Sequence, residues 1–439
     1  MLATTFRQTV CPVIVSPVLR RLLPAFALSA VGDGMSAVGV AWLAIRIALP
    51  ADRGLMVGVA VAAYTLPGAA GAVLLARPLR RLSGRHLVAA DAGLRAVTLG
   101  VIPLLYVVGA LRPGWYVALL AASSMLHAWG ISGQYTLVAE HLPQASRTAA
   151  NALLSGLSMA AFVIGPLAAG LAVAAAGPAL PLAADAASFT ILAIAAATAG
   201  GGRPATRPAQ VGQPGRAAGF AVIARTRPLA GLLVLTVAYY FLYGPVEVAL
   251  PLYVTGPLHG SAGLLSLFWT VFGIGATAGS IAAGLARRLP LWPVLVAAVI
   301  GWGAALAPLG LAALPVPALA CFATGGLLYA PYPALSATLF QRESPPELLS
   351  QVLAARGALT VLASPLGTAL GGPLTTWLGA QHTLLVSTAA TIATGLAATT
   401  LLTRRRHQAR RWPGRAGHGQ PGTHPAFNTG ASPMADSPA

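Results

Sequence analysis

Two acidic residues, Asp33 and Glu247, stand inside long apolar segments of this sequence with no arginine near them along the chain. A carboxylate within a bilayer costs several kcal/mol unless it is protonated, paired or hydrated, and such residues often mark proton pathways in transporters. Asp33 lies eleven residues into its segment (33 − 22), which is roughly 16 Å at about 1.5 Å per residue. This depth predicts proton coupling at Asp33, and a structural hydrogen bond explains the position equally well.

Glu247 follows Gly244 and Pro245, which we expect to interrupt their helix and to open its backbone beside the carboxylate. The residue falls in the outer half of its segment. It is therefore a second candidate for proton coupling or for contact with a cationic substrate. A hydrated vestibule around Glu247 is the alternative.

Aromatic side chains and one histidine are the candidates for substrate binding. Rings hold bulky apolar or cationic compounds by dispersion and cation-π contacts, although most rings in membrane segments only pack or anchor. A lone histidine is more often a neutral packing residue. The predicted binding residues are His127, Tyr240, Tyr243, Trp269 and Tyr329.

The elements that must position these residues are membrane-spanning helices. The chain is 56% hydrophobic and 8% charged, which a soluble protein of this size could not tolerate. A segment of roughly 18 to 25 apolar residues crosses a hydrocarbon core of about 30 Å. Such segments, numbered here as spans 1 to 12, cover 22–47, 54–76, 87–108, 115–137, 150–173, 179–199, 229–254, 261–285, 293–313, 316–339, 353–374 and 382–402.

Charge divides the chain into two halves. A proline- and arginine-rich linker at 200–228 separates a six-helix half at 22–199 from another at 229–402, between tails at 1–21 and 403–439. Arginines collect on the cytoplasmic side of membrane proteins. We therefore expect an inner-membrane protein whose termini are both cytoplasmic, and a disordered C-terminal tail.

The two halves carry matching sequence elements. Residues 79–82 (LRRL) recur as 286–289 (ARRL), and 164–167 (IGPL) recur as 363–366 (ASPL). Parallel repeats of this kind predict a transporter with its site between the halves, near the bilayer midplane.

The chain resembles the major facilitator superfamily, especially bacterial drug and siderophore exporters of the enterobactin-exporter and macrolide-efflux types. The resemblance is carried by GDGMSAVGVAWL in span 1, SGRHLVAADAGLRA at span 3, VEVALPLYV in span 7 and YAPYPALSATLFQRE in span 10. It implies an all-α membrane fold of twelve helices in two pseudo-symmetric halves, and alternating access.

The resemblance also implies a gate in the loop after span 2, where the family has an aspartate. Here that position is Arg81, beside Arg85. Asp91 and Arg95 follow at a spacing of four residues and could pair with each other or with these arginines. We take Arg81, Arg85, Asp91 and Arg95 as the gating residues, in an altered form of the family's gate.

No motif indicates an enzyme, a cofactor or a metal site, and without lysine no ATP-binding loop of the usual type can form. The energy source must be a gradient. We predict a proton-coupled exporter of a hydrophobic or cationic small molecule, such as a drug, acting as a monomer in the lipid bilayer without nucleic-acid partners. The alternatives are an importer of a small nutrient and a regulatory membrane protein that no longer transports.

Overall fold

The computed structural model describes residues 16–79, 82–199, 217–285 and 290–411, and within them it contains helices and no strand. Two short 3-10 turns, Pro50–Asp52 and Pro346–Leu348, supplement the helices. The helices are α1 Pro17–Ile47, α2 Arg53–Leu74, α3 Ala76–Leu79, α4 Gly84–Val107, α5 Pro113–Ser124, α6 His127–His141, α7 Gln144–Ala176, α8 Leu180–Thr198, α9 Ala217–Arg225, α10 Arg227–Thr255, α11 Ala262–Leu285, α12 Leu291–Leu311, α13 Pro315–Tyr329, α14 Pro331–Glu343, α15 Leu349–Leu378 and α16 Ala380–Arg411.

Eleven stretches of the described residues are long and apolar enough to span a membrane. The remaining predicted span, 115–137, is present as two shorter helices, α5 and α6, with a break at Met125 and Leu126. At this break the Met125 carbonyl lies against Gly71 of α2, where a Cβ would come within 1.8 Å of the oxygen. The prediction of twelve membrane helices is consistent with this arrangement.

The tenth span is also broken, between α13 and α14. Pro331 stands at the first position of α14, and a proline has no N–H for the hydrogen bond that would continue the preceding helix. We call spans 1 to 6 the first set and spans 7 to 12 the second set. Spans 4 and 10 are the fourth spans of these two sets. Both sets therefore break their fourth span.

Three helix limits differ from the predicted ones. The first helix begins at Pro17 and not at residue 22, because the Ser16 side chain accepts a hydrogen bond from the Leu19 N–H and a proline occupies the first helical position. The predicted linker contains α9 and the beginning of α10, while residues 200–216 lie outside the described part. Helix α16 continues to Arg411, so the predicted disorder from residue 403 begins too early.

Contacts between residues divide the chain into two compact units, with the boundary after Ala398. The described part of the second unit, residues 399–411, is the end of α16. All features discussed below belong to the first unit.

Glycines allow close helix packing within each set. Gly34 of α1 lies against Gly165 of α7, where an added Cβ on Gly165 would come within 2.5 Å of the Gly34 Cα. Gly244 of α10 lies against α15 at the backbone of Gly367 and Thr368 in the same way. Small residues are common where membrane helices approach closely, since lipid offers no hydrophobic drive to hold helices together.

The two sets meet through α2 with α15 and through α7 with α11. A Cβ on Gly58 would come within 2.6 Å of the Gly372 Cα, and one on Gly170 within 2.7 Å of the Ser266 Oγ. Both contacts lie at the end of the bundle that carries the connection 48–52, which we call the first-loop end. Farther from this end along α7, a Cβ on Gly156 would meet nothing within 4 Å. The small-residue contacts between the sets therefore concentrate at the first-loop end.

Candidate functional site

Asp33 forms an ion pair that crosses from α1 to α4. The Arg95 Nη1 donates to the Asp33 Oδ1 at 2.6 Å, and the Tyr64 hydroxyl of α2 donates to the same oxygen at 3.0 Å. The Arg95 Nη2 also donates to the Tyr64 hydroxyl at 3.4 Å. Three helices thus meet at one carboxylate oxygen.

The two members of this pair differ in their surroundings. Arg95 is 2% exposed, whereas the Asp33 side chain is 39% exposed. The guanidinium carbon lies 4.5 Å from the ring centre of Phe189 and 5.5 Å from that of Tyr64, distances at which a ring attracts a cation. Aromatic rings therefore enclose the cation, while the carboxylate remains reachable.

Asp33 faces a cavity of about 180 Å³, which we call the Asp33 cavity. Its polar lining includes Asp91 and Arg95 of α4 and His127 and Gln134 of α6. Phe26, Ile131, Leu154, Leu157 and Phe189 are among its apolar lining residues. An enclosed space in which polar groups converge between apolar walls is typical of a small-molecule site.

Asp91 is the second carboxylate of this cavity. It is 8% exposed, and its Oδ1 atom has no hydrogen-bond partner in the described part of the chain. No arginine nitrogen of the described residues comes within 4.0 Å of its carboxylate. The predicted pairing of Asp91 with Arg95 is therefore wrong, because Arg95 reaches across to Asp33 while Asp91 faces Gly130 of α6.

A third carboxylate, Asp185 of α8, lies close by but has ordinary structural partners. Its side chain is fully buried and accepts hydrogen bonds from Ser36 at 2.5 Å and from Ser188 at 3.4 Å. Gly32 makes this packing possible, since a Cβ there would come within 2.4 Å of the Asp185 Oδ1. Asp185 thus joins α1 to α8.

Glu247 lies in the second set, on α10. It accepts a hydrogen bond from Thr368 of α15 at 3.1 Å. The predicted interruption of its helix is wrong: α10 runs unbroken from Arg227 to Thr255. Gly244 serves instead to bring α10 against α15, and packed neighbours let membrane helices tolerate an internal proline such as Pro245.

The predicted substrate-binding rings lie together in the second set, apart from His127. Tyr243 contacts Tyr329 at 4.9 Å and Trp302 at 6.0 Å between ring centres. Trp269 packs against Phe272 and Tyr240 against Tyr239. Tyr243 and Trp269 are buried, whereas Tyr240 and Tyr329 are half-buried. His127 lines the Asp33 cavity in the first set, so the predicted residues form two groups.

Relatives known by sequence match part of the chain. The uncharacterized MFS-type transporter y4rN of Sinorhizobium fredii is 28% identical over 250 residues, 55% of this chain and 60% of the relative. Macrolide efflux protein A of Enterococcus faecalis is 29% identical over 154 residues, 34% of this chain and 47% of the relative. The chain thus covers less than two thirds of either protein. A comparison with models of protein families finds no match.

Solved structures match over nearly the whole chain. The nucleoside transporter NupG superposes with a TM-score of 0.70 at 12% identity, covering 88% of this chain and 99% of that one. A bacterial homologue of the lysosomal transporter Spinster gives 0.67 at 13% identity, covering 90% and 97%. The fold is that of the major facilitator superfamily. At these identities the likeness concerns the fold alone.

The major facilitator gate predicted after α2 is only partly described. Arg81 lies outside the described residues. The Arg85 Nη1 donates to the Ala199 carbonyl at 2.9 Å, at the end of α8, and Glu140 accepts from the Gly84 N–H at 3.2 Å at the beginning of α4. These contacts satisfy helix ends within the first set of the major facilitator fold.

Sequence reasoning missed two partners of the candidate carboxylates: Tyr64 for Asp33 and Thr368 for Glu247. It also left Asp33 without a cation. One signal was present, because Arg95 lies eight residues into the predicted span 3 (95 − 87) and Asp33 lies eleven residues into the predicted span 1 (33 − 22). In this fold the first and third spans could have been compared for charges at similar depth.

Proposed function

We propose that this chain is a secondary transporter that exports a hydrophobic or cationic small molecule in exchange for protons, by alternating access. Transport is supported by the fold. Export is supported by the similarity to macrolide efflux protein A. The observation that carries the coupling is the ion pair between a reachable Asp33 and a buried Arg95.

Protonation of Asp33 would change the energy of this pair sharply. A neutral carboxyl leaves the buried Arg95 guanidinium without its salt-bridge partner, and a buried charge that has lost its partner is destabilising. A rearrangement that gives Arg95 another partner or water relieves that cost. Proton binding at Asp33 therefore favours a second conformation, which is the requirement for coupling.

The contacts between the two sets determine to which side of the membrane the protein is closed. Glycine packing closes the first-loop end, at Gly58 with Gly372 and at Gly170 with Ser266. With both termini in the cytoplasm, as the arginine distribution favours, this end faces outward. The structure then corresponds to a state closed to the outside, and transport requires these contacts to separate.

The test is proton release from energised inverted vesicles on addition of lipophilic cations and macrolide-type compounds. We expect substrate-dependent release with the wild type and with Asp52→Asn, which removes an exposed carboxylate in the connection 48–52. Asp33→Asn keeps an oxygen for Arg95 and Tyr64 but cannot titrate, so the release should disappear. Unchanged release in Asp33→Asn would reject coupling at this residue.

No release with any compound, for wild-type protein shown to be folded in the vesicles, would reject proton-coupled export of these compound classes. An uptake measurement in right-side-out vesicles would then test the importer. Loss of both signals would favour the regulatory alternative.

A further inference from the structure

The Asp33 cavity contains unbalanced charge. Two carboxylates and one guanidinium line it, and the guanidinium of Arg95 is taken by Asp33. Asp91 has no salt bridge of its own among the described residues, and the Arg95 guanidinium acts on it only from beyond 4.0 Å. His127 also faces the cavity, and as a neutral imidazole it does not change this charge balance.

Asp91 is also left without a full set of hydrogen bonds. Its Oδ1 has no hydrogen-bond partner among the described residues, although the residue is more than nine-tenths buried. A buried polar atom without a partner is uncommon and destabilising, more so when it is charged. A ligand that donated a hydrogen bond to this carboxylate would offset that cost.

Close packing holds the Asp91 carboxylate in place. A Cβ on Gly130 of α6 would come within 2.0 Å of the Asp91 Oδ2 and 2.6 Å of its Cγ. Because Gly130 has no side chain, the Asp91 carboxylate fills the space that a Cβ would occupy there. One oxygen packs against α6, and no hydrogen bond from the described residues satisfies the other.

The surroundings fit a ligand with one charged and one apolar end. Gln134 and His127 lie on α6 on either side of Gly130 and offer polar atoms. Phe26 and Ile131 supply apolar wall. An ammonium group with an aromatic or aliphatic body matches this combination, since the charge meets Asp91 and the body meets the walls.

We propose that Asp91 binds the protonated amine of the exported compound in the Asp33 cavity. This inference rests on the proposed function and narrows its substrate class to cationic amines. The ammonium N–H donates to the Asp91 carboxylate. The Asp33–Arg95 pair stays intact beside it, so the substrate site and the coupling carboxylate are different residues in one cavity.

The test is equilibrium binding to the purified full chain in detergent, with two probes of nearly equal shape. 1-Naphthylmethylamine is a cation at neutral pH, and 1-naphthylmethanol is not. The wild type should bind the amine at least tenfold more tightly than the alcohol. Asp91→Asn should lose that preference and keep its affinity for the alcohol. Asp52→Asn, the same substitution at an exposed carboxylate, should behave as the wild type.

Three results would overturn the proposal: equal affinity of the wild type for the two probes, no amine binding by the wild type, or a preference that survives in Asp91→Asn. Asp91→Ala provides a second variant without the charge if the asparagine variant folds poorly. Binding in detergent needs no gradient. Failure of proton release with intact amine selectivity would therefore reject the exporter and leave the Asp91 site, and the reverse outcome would reject only the site.

Discussion

Arg95 donates to Asp33 at 2.6 Å across the space between α4 and α1, with the cation buried and the carboxylate open to a cavity. The asymmetry matters because only the exposed partner can exchange a proton with water. Once Asp33 is protonated, the buried Arg95 loses its salt-bridge partner, which raises the free energy of this conformation. A pair buried on both sides could not be reached, and one exposed on both sides would contribute almost nothing.

The first prediction concerns the energy of this pair. Asp33→Asn and Arg95→Gln should each lower the free energy of unfolding in detergent, and the double variant should lose less than the sum of the two. Contacting charged residues couple by about 0.5–3 kcal/mol. The measurement is a double-mutant cycle on denaturant unfolding. Strict additivity would show that the pair does not form.

The second prediction concerns the space at Gly130. Gly130→Ala places a Cβ 2.0 Å from the Asp91 Oδ2, and overpacking of this kind costs about 1–3 kcal/mol. Gly93→Ala on α4 is the matched control, because its Cβ meets nothing within 4 Å. Thermal unfolding should separate the two variants. Asp91→Ala combined with Gly130→Ala should restore stability, and an unrestored double variant would contradict the contact.

The third prediction concerns the closed first-loop end. Gly58→Leu would force α2 away from Gly372, where even a Cβ comes within 2.6 Å of backbone. In a background with Cys11 and Cys321 replaced by serine, Gly372→Cys should react slowly with an impermeant maleimide. Adding Gly58→Leu should raise its labelling rate several-fold. Equal rates would mean that this contact does not close the end.

The fourth prediction concerns the hydrogen bond to Glu247. Thr368→Val keeps the shape of the side chain but removes the hydroxyl that donates to Glu247 at 3.1 Å. Loss of such a partner costs about 1–3 kcal/mol. Thr360→Val on the same helix is the control, since the Thr360 hydroxyl bonds to backbone carbonyls of its own helix at Arg356 and Gly357. The two variants should differ in melting temperature, and equal melting would exclude a stabilising role for the Glu247 contact.

Much of the fold follows from the sequence because hydropathy and length act locally. Twelve apolar segments predict twelve helices, and Asp33 is placed at mid-depth by counting residues. The partner of Asp33 is different: Arg95 lies 62 residues later (95 − 33), and their meeting depends on how α1 and α4 are rotated about their axes. Hydropathy carries no information on that rotation.

The same limit explains the other differences. Asp91 and Arg95 have the spacing of a helical pair, yet a stronger partner on another helix takes Arg95. Gly244 and Pro245 have the composition of a break, yet close packing against α15 keeps α10 continuous. The predicted binding residues share chemistry, but the packing of the two sets decides that His127 and the tyrosines belong to separate neighbourhoods.

The break between α5 and α6 has a counterpart between α13 and α14, 205 residues later when Met125 is compared with Ala330 (330 − 125). The local residues differ, with a proline after one break and none at the other. The two six-helix sets therefore bend at corresponding places. Their correspondence is easier to recognise in where these helices bend than in the amino acids that bend them.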